Sequence, residues 1–96
     1  MIRQVRYKSS VVDGLKLMKR LGNQQHVTVI LKRCSRLRFD AEKRPDCVKF
    51  YSDPDLYKTI IESHELEGQI PPEGYEITFM IDSETVTIVN IRYIAY

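Results

Sequence analysis

Tyr75-Glu76-Ile77-Thr78-Phe79-Met80-Ile81, then Asp82-Ser83-Glu84, then Thr85-Val86-Thr87-Ile88-Val89-Asn90-Ile91-Arg92-Tyr93-Ile94-Ala95-Tyr96, is the stretch that decides the fold class. Tyr75, Ile77, Phe79 and Ile81 alternate with Glu76, Thr78, Met80 and Asp82, the period of a strand with one buried face. Ser83-Glu84 makes the turn, and Thr85 to Tyr96 returns as a long strand. In the returning strand the apolar phase switches, from Val86 and Ile88 to Val89, Ile91 and Tyr93. Either the strand bulges there, or it is central and buried on both faces.

Outward from this hairpin, Ile2 to Tyr7 reads as a short strand with Val5 and Tyr7 on one face. A helix follows. Ser10 is its expected cap, with Asp13 completing a capping box, and Val11, Leu15, Met18 and Leu21 form the stripe to be buried. Lys19 and Arg20 suit the negative end of its dipole, and Gly22 terminates it. His26 to Leu37 supports two readings. Val27, Thr28, Val29 and Ile30 are β-branched and favour a strand, while Val27, Ile30, Leu31, Cys34 and Leu37 recur at helical spacing. Arg38 to Asp46 reads as a loop and Cys47 to Tyr51 as a strand. Asp53-Pro54 predicts the start of a second helix, striped by Leu56, Tyr57, Ile60, Ile61 and His64 and ended by Gly68. Ile70-Pro71-Pro72-Glu73-Gly74 is a stiff connector. The expected fold class is α+β: a mostly antiparallel sheet with two helices packed on one face and a long C-terminal hairpin, residues 1–96 forming one compact domain.

Composition excludes several classes. With 96 residues, 43% of them apolar, one core forms without a metal or disulfide. No apolar run reaches the roughly 18 residues of a membrane span, and Met1 to Arg6 lacks the apolar stretch of a secretory signal. Cys34 and Cys47 are isolated thiols, which predicts a reduced, cytoplasmic protein. His26, Cys34, Cys47 and His64 lack metal-ligand spacing, and the four glycines form no phosphate cradle. No metal, small-molecule cofactor or membrane partner is expected.

Charge is the informative feature. Residues 1–50 hold thirteen Lys and Arg against four Asp and Glu, a net of +9, whereas residues 51–96 hold two against nine, a net of −7. Two faces with different partners would produce this split, and so would two halves that pack together and neutralise each other. Lys32, Arg33, Arg36, Arg38, Lys43 and Arg44 cluster within thirteen residues, preceded by Lys16, Lys19 and Arg20. Lys and Arg gathered on one face contact phosphates and give salt-dependent, sequence-blind affinity for nucleic acid. Arg92 is the only cation after Lys58, flanked by Ile91 and Tyr93. It either pairs with the many acids of its half or marks an anion site.

The strand, the helix ending Lys19-Arg20-Leu21-Gly22, the basic middle and the terminal hairpin form a layout that resembles the RelE/ParE superfamily of toxins. The likeness rests on Glu67-Gly68 upstream of Gly74-Tyr75-Glu76-Ile77-Thr78-Phe79, on Ile81 to Val86, and on Ile91-Arg92-Tyr93; Arg44 to Lys49 resembles the family's lead into a central strand. The resemblance implies a ribonuclease cutting messenger RNA on the ribosome, or a gyrase poison, with a cognate antitoxin as partner. Cleavage needs a base for the ribose 2′-hydroxyl, an acid for the leaving oxygen and cations for the phosphate. Lys49 matches a family lysine on the central strand. Glu76 stands where the family usually carries arginine, and Tyr96 where it carries a catalytic Arg or His. Tyrosine can do acid–base work beside a cation such as Arg92. The resemblance therefore nominates Lys49, Arg92, Tyr93 and Tyr96 as catalytic. Two other classes stand beside this endoribonuclease: a non-enzymatic interaction protein of the phage-inhibitor or immunity kind, and a plain RNA- or DNA-binding module.

Overall fold

In the computed structural model, the described residues are 2–50, 52, 55–62, 65–66 and 73–95. The elements run β1 (Gln4–Tyr7), α1 (Ser9–Arg20), α2 (Gln24–Arg36), a 3-10 turn (Ala41–Lys43), β2 (Cys47–Lys49), β3 (Leu56–Ile61), β4 (Glu73–Ile81) and β5 (Thr85–Ala95). One five-stranded sheet has the order β1-β5-β4-β3-β2, antiparallel except where β1 runs parallel to β5. The class is α+β.

The apolar phase switch is a bulge in a central strand. Phe79 pairs with Ile88 but Thr78 with Asn90, leaving Val89 as the extra residue. Directly opposed residues share a face, so Val86 and Ile88 before the bulge and Ile91 and Tyr93 after it all join Ile81, Phe79, Ile77 and Tyr75. Were Val89 paired with Thr78 in a regular ladder instead, Ile91 would fall opposite Glu76 and the last third of β5 would turn its apolar set away from the core. Asp82 fixes the hairpin turn by accepting from the Glu84 and Thr85 amides at 2.9 and 2.7 Å and from the Thr85 hydroxyl at 2.6 Å. These bonds hold its carboxyl below the usual carboxylate range.

The ambiguous segment from His26 is helical as far as Arg36, with Leu37 as the C-cap of α2. Ile30, Cys34 and Leu37 are completely buried and Val27 nearly so, at spacings of three and four, while Val29 is half-buried. Burying this stripe against the sheet outweighs the small helix penalty of its β-branched residues. In α1, Val11 is buried and Leu15 and Met18 pack against the core, but Leu21 lies past the helix end and is 70% exposed. The expected capping box is not made: the helix begins two residues earlier, at Ser9, with Lys8 in the cap position and no side-chain cap. Gly22 follows with φ of +90°, a conformation that suits glycine at a helix end.

The second predicted helix is overturned. Leu56–Ile61 is the strand β3, paired with β4 and β2. Tyr57, Thr59 and Ile61 face the core, where Tyr57 stacks on Phe79 with ring centroids 5.8 Å apart. Leu56 and Ile60 lie on the other face, half-buried. The apparent helical stripe arose because apolar residues occupy both faces while the buried middle position is a threonine. Asp53, Pro54, His64, Gly68 and the connector before Glu73 lie outside the described residues, as does Tyr96.

Candidate nucleic-acid interface and adjoining cavity

α1 and α2 pack side by side, joined by Leu21-Gly22-Asn23. Helical period places Lys16 and Arg20 on the side of α1 away from Val11, and Lys32 and Arg36 on the side of α2 away from Ile30 and Cys34. All four are exposed, as is Lys19 on the α1 flank. Among the described residues, none of these five has an ion-pair partner. The helical layer therefore presents an outward cationic surface.

The rest of the predicted cluster divides. Arg33 is not on this surface. Its side chain is 8% exposed and its guanidinium donates to the Thr59 hydroxyl at 2.7 Å, to the Ile60 carbonyl at 3.0 Å and to Glu65, with Asp46 at 3.8 Å. It ties α2 to β3. Arg44 forms a two-point contact with Asp46, Nε to Oδ1 at 3.1 Å and Nη2 to Oδ2 at 3.2 Å, which holds the Asp46 carboxyl below its ordinary range. Arg38 donates to the Ser35 carbonyl and lies over the Phe39 ring at 5.2 Å, exposed. Lys43, in the 3-10 turn, is exposed as well.

The residues nominated for catalysis are not brought together. Lys49 is opposite Tyr57, its ammonium 5.8 Å from that ring, on the helix side of the sheet. Arg92 is opposite Glu76 on the open face, its Nη2 3.3 Å from the Glu76 carboxylate, which Lys58 also approaches at 3.9 Å. Three strand spacings, about 14 Å, separate the strands of Lys49 and Arg92. A single phosphate cannot touch both. Glu76, where the resemblance leads one to expect arginine, is thus held between two cations.

Tyr93 faces the opposite way from Arg92 and lines a half-open cavity of about 600 Å³. The cavity lies between α1, the start of α2 and the terminal hairpin. His26 and Tyr75 meet there. His26 Nδ1 and the Tyr75 hydroxyl are 2.8 Å apart, and Tyr75 packs edge-on against both His26 and Tyr93, with centroids 5.6 and 5.7 Å away. Sequence reasoning rejected His26 as a metal ligand, leaving it an ordinary surface or core histidine, and read Tyr75 as part of the hairpin's apolar face. The signal for His26 was its place one turn before Ile30 on the buried stripe, visible once α2 is read as a helix. His26 also borders a second groove, lined by Gln25, Lys32, Arg36 and the Arg33–Glu65 pair.

Neither thiol is set up as a nucleophile. Burial pushes both Cys34 and Cys47 up to about 11, so the thiolate is scarce at neutral pH. Among the described residues there is no cluster of three metal-ligating side chains, and no helix is long and apolar enough to cross a membrane. No protein-family model, no curated protein and no solved structure matches this chain, so its function is argued from the geometry above.

Proposed function

We propose that this protein binds RNA through the outward face of α1 and α2. The observation that carries the reading is the set Lys16, Arg20, Lys32 and Arg36, exposed on neighbouring helices and making no ion pair within 4.0 Å among the described residues. Among the described residues, no acid of the second half forms an ion pair with that face. Glu76 is taken by Lys58 and Arg92, and Glu65 by the buried Arg33. Mutual neutralisation of the two halves therefore reaches the buried Arg33 but not the outward helical face, and a polyanion is the partner whose chemistry fits that face. A ribosome-bound message is the form of RNA that the RelE-like layout favours. Binding rather than cleavage is proposed, because Lys49 and Arg92 lie on opposite faces of the sheet.

The test is fluorescence anisotropy of a labelled single-stranded RNA as salt is raised. Four phosphate contacts predict a log–log slope of roughly −3, from about −0.7 per contact. Reversing all four charges to Glu should bring the slope near zero with the circular-dichroism spectrum unchanged. Wild-type affinity in that variant, or binding by the wild type that ignores salt, would overturn the proposal.

A further inference from the structure

Gly14 sits in the middle of α1, where glycine costs about 1 kcal/mol relative to alanine. Nothing in the fold requires it. Its φ is not in the left-handed region, and a Cβ built there meets no atom within 4 Å. What it does border is the mouth of the cavity of His26, Tyr75 and Tyr93, one turn below Met18 and one above Ser10. A side chain at this position would project into the opening.

The lining specifies the occupant. Leu15, Met18, Ile91 and the Tyr93 ring provide apolar and aromatic surface, while Ser10 and Asn23 bring neutral donors and acceptors. Among the described residues that line it there is no Asp, Glu, Lys or Arg. A neutral, planar ring with mixed hydrogen-bonding edges matches this set, and the volume falls within the ~300–1,000 Å³ usual for small-molecule sites. On the other side of His26 the second groove carries Lys32 and Arg36, with Arg33 and Glu65 neutralising each other. One compartment suits a base and its neighbour suits a phosphate, with His26 as their common wall. We propose that the cavity is a nucleobase pocket that accepts one unstacked base of the bound RNA, whose adjoining phosphate lies against Lys32 and Arg36. This deepens the RNA-binding reading and rests on it for the source of the base. Aromatic stacking with modest sequence preference is the recognition expected there.

The test follows resonances of His26, Tyr93 and the Met18 methyl by NMR as each of the four ribonucleoside 5′-monophosphates is added, with the same variants titrated with RNA. Gly14→Ala should weaken monophosphate binding a few-fold; Gly14→Leu, also a good helix former and so expected to fold, should weaken it at least tenfold. For RNA, Gly14→Leu should lower affinity roughly tenfold and leave the salt slope unchanged. Lys16→Glu with Arg20→Glu should do the reverse, flattening the slope while monophosphates still bind. No cavity shifts at millimolar nucleotide, or full monophosphate affinity in Gly14→Leu, would overturn the pocket and leave the helical interface standing. Loss of monophosphate binding with unchanged RNA affinity would overturn the assignment to RNA. Salt-independent RNA binding by a wild type that still takes monophosphates would instead overturn the helical interface.

Discussion

Arg33→Ala separates a structural cation from a phosphate-binding one. Arg33 lies within the basic run of the sequence, yet its guanidinium is buried and bonded to Thr59, Ile60 and Glu65. Truncation leaves the Glu65 carboxylate without its cation and two β3 acceptors without their donor. Breaking a buried pair costs about 3–5 kcal/mol. Glu65 is 28% exposed and regains some hydration, so the lower end, about 3 kcal/mol, applies. At about 4 °C or more per kcal/mol for a domain of this size, the melting temperature should fall by roughly 12 °C or more. Lys32→Ala, one residue away and exposed, should stay within about 0.5 kcal/mol of wild type. Thermal and urea unfolding followed by circular dichroism measure both. Adding Glu65→Gln to the Arg33 variant should restore part of the loss, since no uncompensated charge remains. An Arg33→Ala protein as stable as wild type but defective in RNA binding would refute the reasoning, placing this guanidinium on the surface.

Other consequences are more quickly stated. Gly14→Ala should raise stability by about 0.5–1 kcal/mol, read from the melting temperature, because the new Cβ enters open space on a helix. Gly74→Ala should destabilise by roughly 1–3 kcal/mol, since its Cβ would collide with the Ile61 carbonyl oxygen and push β3 from β4. Deleting Val89 should leave a cooperative fold only about 1–2 kcal/mol weaker, because every β4–β5 partner is kept and only the bulge is lost; loss of cooperative melting would contradict the assigned register. Stability should also decline in alkali. Cys34 keeps its proton in the native state up to about 11 while the unfolded thiol titrates near 9.0. Its contribution, roughly 2–3 kcal/mol, is complete below pH 9 and is lost as pH rises toward 11. Denaturant unfolding across that range should show a shallower slope for Cys34→Ala, with Tyr7 and Cys47, both raised by burial, supplying the remainder.

The parts of the fold legible in the sequence were those where burial is one-sided. The hairpin announced itself by strict alternation, and its phase switch left two readings, a bulge or a central strand buried on both faces; β5 is central and bulged, but Asn90 and Arg92 on its other face are exposed. The first helix was legible from Val11, Leu15 and Met18, although Leu21 overran its end. The two difficult segments were difficult for a shared reason. In β3 the buried central residue is Thr59, whose hydroxyl accepts from Arg33 of α2. A polar residue buried in a strand breaks the apolar alternation, and a cation buried in a helix reads as part of a solvated face. Each is stable only because of the other, and a contact between residues 26 positions apart has no local signature. The candidate site was opaque for a similar reason: His26, Tyr75 and Tyr93 come from a helix and two strands and meet only through the packing of α2 on the hairpin. Resemblance pointed to Tyr93 through its neighbour Arg92, which faces the other side of the sheet.

The central claim is where RNA lies on the molecule. Backbone amide and side-chain shifts of the labelled protein, recorded while single-stranded RNA is titrated at low salt, locate it directly. The account predicts perturbations along Lys16 to Arg20 and Lys32 to Arg36, with the open sheet face around Lys58, Glu76 and Arg92 unmoved. Perturbations concentrated on that open face, with α1 and α2 silent, would contradict it.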